Sequence, residues 1–273
     1  MKEGSPGSFT APASVACERF VTQHFGRAKT EFYVTAPAPC PYLPGRAERK
    51  IFTFLGGPSA ARMNEYLTLR GFRRSQNIIY VPTCEACQAC VPVRVVASEF
   101  DMTRSRRRLL KRNADLMRLV KPASATAEQF SLLKSYIDAR HADGGMADMT
   151  ALDYAAMVEE TAVDTMLVEY RRGGAKGPLV ACAMTDRLRP GLSMVYSFFD
   201  PAESSRSLGA FMILDHIRQA QLLKLPYVFL GYWVQGSPKM AYKTRFQPLE
   251  RLTETGWARI AEPLDKNAGE DGA

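Results

Sequence analysis

The chain has 273 residues, of which 46% are hydrophobic and 23% charged, the balance of a soluble globular protein with apolar material for a sizeable core in one domain or two small ones. No uninterrupted apolar run reaches bilayer-spanning length and residues 1–20 lack the apolar h-region of a secretory signal, so the cytosol is the expected compartment and its six cysteines are expected as thiols, metal ligands or cluster ligands rather than disulfides. A net charge of +8, with a pI of about 9.2, favours polyanionic partners, nucleic acid before an anionic membrane surface.

In chain order, residues 1–20 read as a frayed terminus, followed from Glu31 to Leu55 by short strands around a Pro-rich turn. Alternation places Phe32 and Val34 about Tyr33, and Ile51, Thr53 and Leu55 about Phe52 and Phe54. Four prolines in TAPAPCPYLPGRAE forbid a regular ladder there. A helix is expected from Ala60 to Arg70, capped by Ser59, with Met63 and Leu67 on one face and Gly71 past its end. Ile78–Val81 and Val91–Val96 read as strands bracketing a cysteine-rich turn, and a basic stretch follows from Arg104 to Arg118.

Thr126 and Gln129 make a capping-box pattern for a helix carrying Phe130, Leu133 and Ile137. Thr150 and Asp153 start a second, running through Met157. Thr165–Tyr170, Leu179–Thr185 and Leu192–Phe199 read as a strand meander, then a helix from Ser207 to Leu223 buries Ala210, Ile213, Leu214 and Ile217, and Tyr227–Leu230 is a short buried strand. The fold class read from these elements is α+β. A strand-rich, cysteine-containing N-terminal domain is expected over residues 1–120, a second domain with mixed sheet and flanking helices over 121–262, and a disordered tail over 263–273.

Three constellations in the first half bear on chemistry. Cys84, Cys87 and Cys90 are separated by two-residue spacers that let thiolates converge on one metal, and Cys40, held between Pro39 and Pro41, is the candidate fourth sulfur. Zinc and an iron–sulfur cluster both suit four sulfurs, while the bland reading is three small residues on a turn, reduced and empty. Cys17 and Cys182 lie outside this spacing, Cys182 as a core residue. Next, Arg73 and Arg74 form a guanidinium pair that would fork onto an acidic side chain, against the ordinary reading of a solvated pair or a structural salt bridge. Finally, Arg104, Arg106, Arg107, Arg108, Lys111 and Arg112 put six cations into nine residues; on a helix, Arg104, Arg108 and Lys111 share a face suited to several phosphates.

In the second half, Arg206, Ser207 and Gly209 stand at a helix start after a strand and a turn. There, free backbone N–H groups and the positive end of the dipole suit a phosphate. This R-x-x-G-x loop is similar to the pyrophosphate loop of GNAT-type acyltransferases. The stretch from Tyr227 to Phe246 ends a buried strand in a Gly- and aromatic-rich loop with Lys239, Lys243 and Arg245. It suits base stacking and phosphate contact, or an aromatic corner joining two modules. His24, His141 and His216 fall in no metal or triad spacing, and no G-x-S-x-G, Walker or H-E-x-x-H pattern is present.

The segments CPYLPGRAERKIFTFL, LRGFRRSQNIIYVPTCEACQACVPVRV, SRRRLLKRNADL and FLGYWVQGSPKMAYKTRFQPLE, in that order, resemble the arginyl-tRNA–protein transferase family, most of all its bacterial aspartate/glutamate leucyltransferase branch. The resemblance spans residues 30–257. It implies an N-terminal cysteine-containing domain and a C-terminal GNAT-like acyltransferase domain. The implied activity is transfer of leucine from leucyl-tRNA to the α-amino group of proteins starting with Asp or Glu, which marks them for N-degron proteolysis. It also implies a paired-cysteine site for zinc or an iron–sulfur cluster, from which Cys40 plus the Cys84/Cys87/Cys90 triplet departs in spacing.

Attack of an amine on an activated ester requires no acyl-enzyme and no metal; it requires orientation, loss of a proton from the amine and an oxyanion site. On this reading the tRNA 3′ end lies at Arg206–Ala210. Tyr196, Asp200 and Tyr242 are candidate catalytic groups, and Arg73 and Arg74 hold the acceptor's acidic side chain. The cations of the basic stretch, with Arg206, Ser207, Gly209, Lys239 and Lys243, are expected against tRNA. The partners are then aminoacyl-tRNA and proteins with N-terminal Asp or Glu, with no membrane. Two other classes remain open at this point: an acyl-CoA-dependent N-acyltransferase and a non-enzymatic, metal-dependent nucleic-acid-binding module.

Overall fold

The computed structural model describes residues 18–25, 28–140 and 144–260, with side chains from residue 30 onward. Cys17, His141, the side chain of His24 and the expected tail at 263–273 fall outside the described residues or side chains. The chain opens with β1 (Glu18–Phe25), β2 (Ala28–Val34), the two-residue β3 (Ala38–Pro39) and β4 (Ala47–Glu48), and β5 (Lys50–Phe54). Then come α1 (Ala60–Thr68), β6 (Arg73–Ser75), β7 (Ile78–Pro82), β8 (Cys90–Val96), α2 (Arg104–Arg112) and β9 (Leu116–Pro122). The second half comprises α3 (Ala127–Arg140), α4 (Ala151–Glu159), β10 (Thr165–Arg172), β11 (Leu179–Leu188), β12 (Gly191–Phe199), α5 (Leu208–Leu222), β13 (Tyr227–Val234), the single-turn α6 (Pro238–Ala241), β14 (Leu249–Thr253) and β15 (Gly256–Arg259).

Two larger sheets result. The smaller runs β1-β2-β5-β7-β6 and packs α1 on one face, where Ala60, Met63 and Leu67 meet Phe32, Leu55 and Ile79. The larger is mixed and runs β15-β14-β8-β13-β12-β11-β10-β9, with β12 and β13 parallel and its other pairs antiparallel. Its central strands are buried on both faces, which is why they read as continuous apolar runs rather than alternating ones. On β10 and β11, Leu167, Cys182 and Met184 join the cluster under α3 and α4, while Val168, Tyr170, Ala181 and Ala183 join the cluster under α5. With a two-residue period, those helices therefore cover opposite faces.

The local signals behaved unevenly. Both capping boxes form: Thr126 and Gln129 exchange backbone-to-side-chain bonds at 3.0 and 3.2 Å, and Thr150 does the same with Asp153. Ser59 precedes α1 but makes no side-chain cap bond. Cys182 is fully buried in β11, and His216 is buried in α5 between the Met212 carbonyl and Thr185, both structural positions.

The expected division near residue 120 does not coincide with the division between sheets, which falls between β7 and β8. β8 is inserted between β13 and β14, and β9 closes the far edge beside β10, so strands from both halves of the chain build the large sheet. β9, β14 and β15 were not expected from the sequence. The small sheet is sewn to the large one by polar contacts: Asn64 to Asp186 at 3.3 Å, Trp257 Nε1 to the Leu69 carbonyl at 2.9 Å, and the Tyr232 hydroxyl 2.8 Å from the Gly71 carbonyl. Gly71 is required where this happens. Its φ is +87°, and a Cβ would lie 2.7 Å from Leu252 Cδ2 and 2.8 Å from Pro92 Cγ. Among the described residues, no helix is long and apolar enough to cross a membrane.

Candidate active site

β12 and β13 run side by side over three pairs, Gly191–Tyr227 to Ser193–Phe229, and then part. A small, open cleft lies where they diverge, lined by Ser193 and Val195 from β12, Phe229 and Gly231 from β13, and Trp257 from β15. Arg73 enters it from β6. Its Nη2 donates to the Val195 carbonyl at 2.7 Å, and its guanidinium lies against Gly231, where a Cβ would come within 2.8 Å of Nη1. The guanidinium thus bridges the two diverging strands.

Arg73 is ringed by phenols. Burial pulls its pKa down, but Tyr80, Tyr42, Tyr232 and Tyr242 more than offset that, and the cation is retained. Tyr196 on β12 and Tyr242 after α6 both feel the charges of Tyr136 and Arg73. Burial pushes each of the two phenols up to about 12, Tyr136 adding to the rise and Arg73 opposing it. At neutral pH both keep their protons. Each is therefore able to donate an O–H bond. Asp200 caps the 3-10 turn Pro201–Arg206 by accepting from the Ala202 N–H at 2.9 Å.

Arg74, next in sequence, faces the other way. Its guanidinium forks onto Asp186, with Nε to Oδ2 at 2.6 Å and Nη2 to Oδ1 at 2.7 Å, and also reaches the Gln76 carbonyl and Thr165. Both side chains are almost wholly buried. Arg74 holds the small sheet to the large one, so although both arginines line the cleft, only Arg73 keeps side-chain surface there for a substrate.

The basic stretch does form a helix, α2, started by Thr103, which accepts from the Arg106 N–H. Its cations divide. Arg106 donates to the carbonyls of Asp101, Arg245 and Gln247 and stacks on Phe100 at 3.9 Å; Arg107 binds the Met102 carbonyl; Arg112 binds the Ser205 carbonyl at 2.8 Å. These three tie α2 to its surroundings. Arg104, Arg108 and Lys111 are exposed with no recorded partner among the described residues, and they are the three expected to share a helix face.

α2 is latched to the start of α5. Buried Asn113 donates to the Leu109 and Arg206 carbonyls at 3.1 Å each, and Arg206 forks onto Asp115 at 2.9 and 2.7 Å. The two expected phosphate-binding stretches are therefore neighbours, although Arg206 itself is committed to Asp115 and Glu203. Ser207 takes a left-handed conformation, φ 52°, where the 3-10 turn gives way to α5. A Cβ at Gly209 would meet only Phe199 Cε1, at 3.5 Å, so no protein backbone presses on this glycine. Lys239 is exposed on α6. Lys243 is not: it is 4% exposed, with its amine on two backbone carbonyls of β13. The expectation that it meets tRNA phosphate is corrected by that burial.

Cys84, Cys87 and Cys40 lie in turns beside β8, and Cys90 begins that strand rather than completing a turn. Burial, then the neighbouring Cys40, Cys84 and Cys87, push the Cys90 thiol up to about 11. The four sulfurs thus feel one another, yet among the described residues no three or more His, Cys, Asp or Glu side chains are grouped closely enough to hold a metal ion.

Tyr42, Tyr80 and Tyr232 around Arg73 were not singled out in the sequence as site residues. Only Tyr232 carried a signal, through its aromatic-rich loop.

The fold thus carries a cleft entered by the Arg73 guanidinium and, apart from it, a basic helix latched to a helix start. A family model described as "Arginine-tRNA-protein transferase, N terminus" matches residues 38–108, and its C-terminal counterpart matches residues 128–253. A protein of Nitrobacter hamburgensis named aspartate/glutamate leucyltransferase is 57% identical over 246 residues, covering 88% of this chain and 95% of its own. One of the same name from Parvibaculum lavamentivorans is 61% identical over 227 residues, covering 83% and 93%. A solved structure, that of L-PGS from Bacillus licheniformis, overlaps 54% of this chain and 46% of its own at 9% identity, with a TM-score of 0.41, a likeness too remote to assign the fold.

Proposed function

The chain belongs to the arginine-tRNA-protein transferase family, and from that premise we propose that it transfers leucine from leucyl-tRNA to the α-amino group of proteins or peptides whose first residue is Asp or Glu, marking them for N-degron degradation in the cytoplasm. Membership sets aside the acyl-CoA-dependent transferase and the non-enzymatic module. The observation that carries the acceptor side is Arg73, a retained cation held between two parting strands and ringed by tyrosines. A guanidinium in such a setting pairs an acidic side chain more strongly than it would at a wet surface.

In this reading the acceptor's carboxylate meets Arg73 and its α-amine points towards the ester. The amine attacks the ester carbonyl carbon, the ester C–O bond breaks, and the 3′ hydroxyl of the tRNA leaves with a proton. Tyr196 and Tyr242 donate O–H bonds to the oxyanion or leaving oxygen, since both stay protonated. The exposed face of Arg104, Arg108 and Lys111, beside the start of α5, receives tRNA phosphates, with Lys239 as a further contact. The parallel pair β12–β13 that parts beside α5 supports a GNAT-like reading of this half of the fold. No step is routed through a metal.

The test is incubation with labelled leucyl-tRNA or arginyl-tRNA and peptides starting with Asp, Glu, Lys or Ala. Label passing from leucyl-tRNA to the Asp and Glu peptides alone is the expected result. Transfer from arginyl-tRNA instead, or indifference to the first residue, overturns the assignment.

A further inference from the structure

Lys243 follows Tyr242 in the 3-10 segment Tyr242–Arg245, but its side chain turns inward and is 4% exposed. Its Nζ donates to the carbonyl of Leu230 at 2.8 Å and to that of Tyr232 at 2.6 Å. These carbonyls flank Gly231. Here β13 has left its ladder with β12, whose last pair is Ser193–Phe229, and its register against β8 shifts between Phe229 and Tyr232.

Gly231 itself has a φ of +69°, and a Cβ there would lie 2.8 Å from Arg73 Nη1 and 3.1 Å from Arg73 Cδ. The irregularity in β13 is thus held by two cations: the Lys243 ammonium takes its carbonyls and the Arg73 guanidinium lies against its Cα. Burying an ammonium is costly unless its hydrogens are used, and two strand carbonyls free of the β12 ladder are what offset that cost. A lysine needed only to fill space would be replaceable by an apolar chain of similar length. This one also fixes the backbone on which Arg73 rests.

We propose that Lys243 is a positioning residue for acceptor specificity: by bridging the Leu230 and Tyr232 carbonyls it fixes the bulge at Gly231, and so the place where Arg73 meets the acceptor's acidic side chain. This rests on the assignment of Arg73 to that side chain.

The test compares Lys243→Met, Lys243→Arg and Gly231→Ala with the unaltered enzyme, using leucyl-tRNA and peptides starting with Asp, Glu or Asn. The expected result is a KM for the Asp and Glu peptides raised about tenfold or more in Lys243→Met and Gly231→Ala, because a small misplacement of a binding group costs at least that much. The KM for leucyl-tRNA and kcat stay within about twofold, and Lys243→Arg, which keeps charge and donors, recovers part of the acidic preference. A purely structural role would move kcat and both KM values together, and that pattern overturns the proposal, as does an unchanged KM for the acidic peptides. If Lys243→Met fails to fold, Gly231→Ala decides by the same criteria. Arg73→Ala separates the two levels. If it keeps the Asp-over-Asn preference, the assignment of Arg73 falls and Lys243 with it. If it loses the preference while Lys243→Met and Gly231→Ala keep it, only the role of Lys243 is overturned.

Discussion

Arg74 on β6 and Asp186 on β11, 112 residues apart, share a two-pronged ion pair with both side chains almost completely out of water. Removing one partner strands the other charge in a dry interface. Arg74→Ala should lower stability by about 3–5 kcal/mol, read as a fall in the urea midpoint. Arg73→Ala should leave that midpoint close to the unaltered value and instead reduce kcat/KM for Asp and Glu acceptors by about 2 kcal/mol, on the order of thirtyfold. A swap of these two phenotypes would show that the wrong arginine has been given to the substrate.

Replacing Arg104, Arg108 and Lys111 together by Gln should weaken tRNA binding and flatten its dependence on salt, by about 0.7–0.9 log units per lost phosphate contact. The change should leave thermal stability nearly intact, since none of the three has a recorded partner in the fold. Arg106 is a contrasting case. Its bonds to the Arg245 and Gln247 carbonyls predict a stability loss whether or not tRNA is present. Filter binding across a salt series, with melting curves alongside, separates the two kinds of arginine.

Tyr196→Phe should reduce kcat by on the order of a hundredfold, the usual cost of one oxyanion donor, with little change in KM for either substrate. The shape of the pH profile should not change. Because burial lifts the phenol to about 12, it carries its proton throughout the neutral range and its ionisation is not what activity reports. The rise of kcat/KM with pH should instead follow the acceptor's α-ammonium, with a pKa of about 8, in both proteins. A limb that vanishes in the Phe variant would make Tyr196 a titrating group.

Burial lowers the pKa of His216 below its ordinary value of 6.5, the bond to the Met212 carbonyl opposing the shift. The native state then binds fewer protons at this site than the unfolded chain does. Its contribution is present above the unfolded pKa and is lost as pH falls from about 6.5 toward the folded value. Urea midpoints should fall as pH drops below about 6.5 in the unaltered protein and fall less steeply in His216→Gln. Equal slopes would place the acid sensitivity elsewhere.

Much of this was legible from residue pattern. The runs at Thr165–Tyr170 and Leu179–Thr185 announced strands that formed, each a few residues longer, and the Thr126/Gln129 and Thr150/Asp153 pairs announced helix starts that formed. β9 was hidden because it is an edge strand: Met117 and Val120 are 45% and 48% exposed, so burial never imposed a pattern on it. The arginine pair could not be divided, since neighbours on a strand point to opposite faces and the carboxylate that claims Arg74 comes from the far half of the chain. Lys243 sits between Lys239 and Arg245 in sequence and reads as one more surface cation. Its burial depends on a break in the β13 ladder that leaves two carbonyls for it, and no local composition encodes that.

The placement of β8 between β13 and β14 also bears on how the protein is made. Arg94 on β8 meets Glu250 on β14, 156 residues later. A ribosome therefore delivers the middle of the large sheet in two instalments, and the earlier strand waits, with both of its edges open, through most of translation. Contacts spanning such distances close slowly, and open strand edges invite wrong partners. Nascent chains halted before residue 249 should consequently depend on chaperones, and the enzyme should gain its cleft only after nearly the last strand has left the exit tunnel.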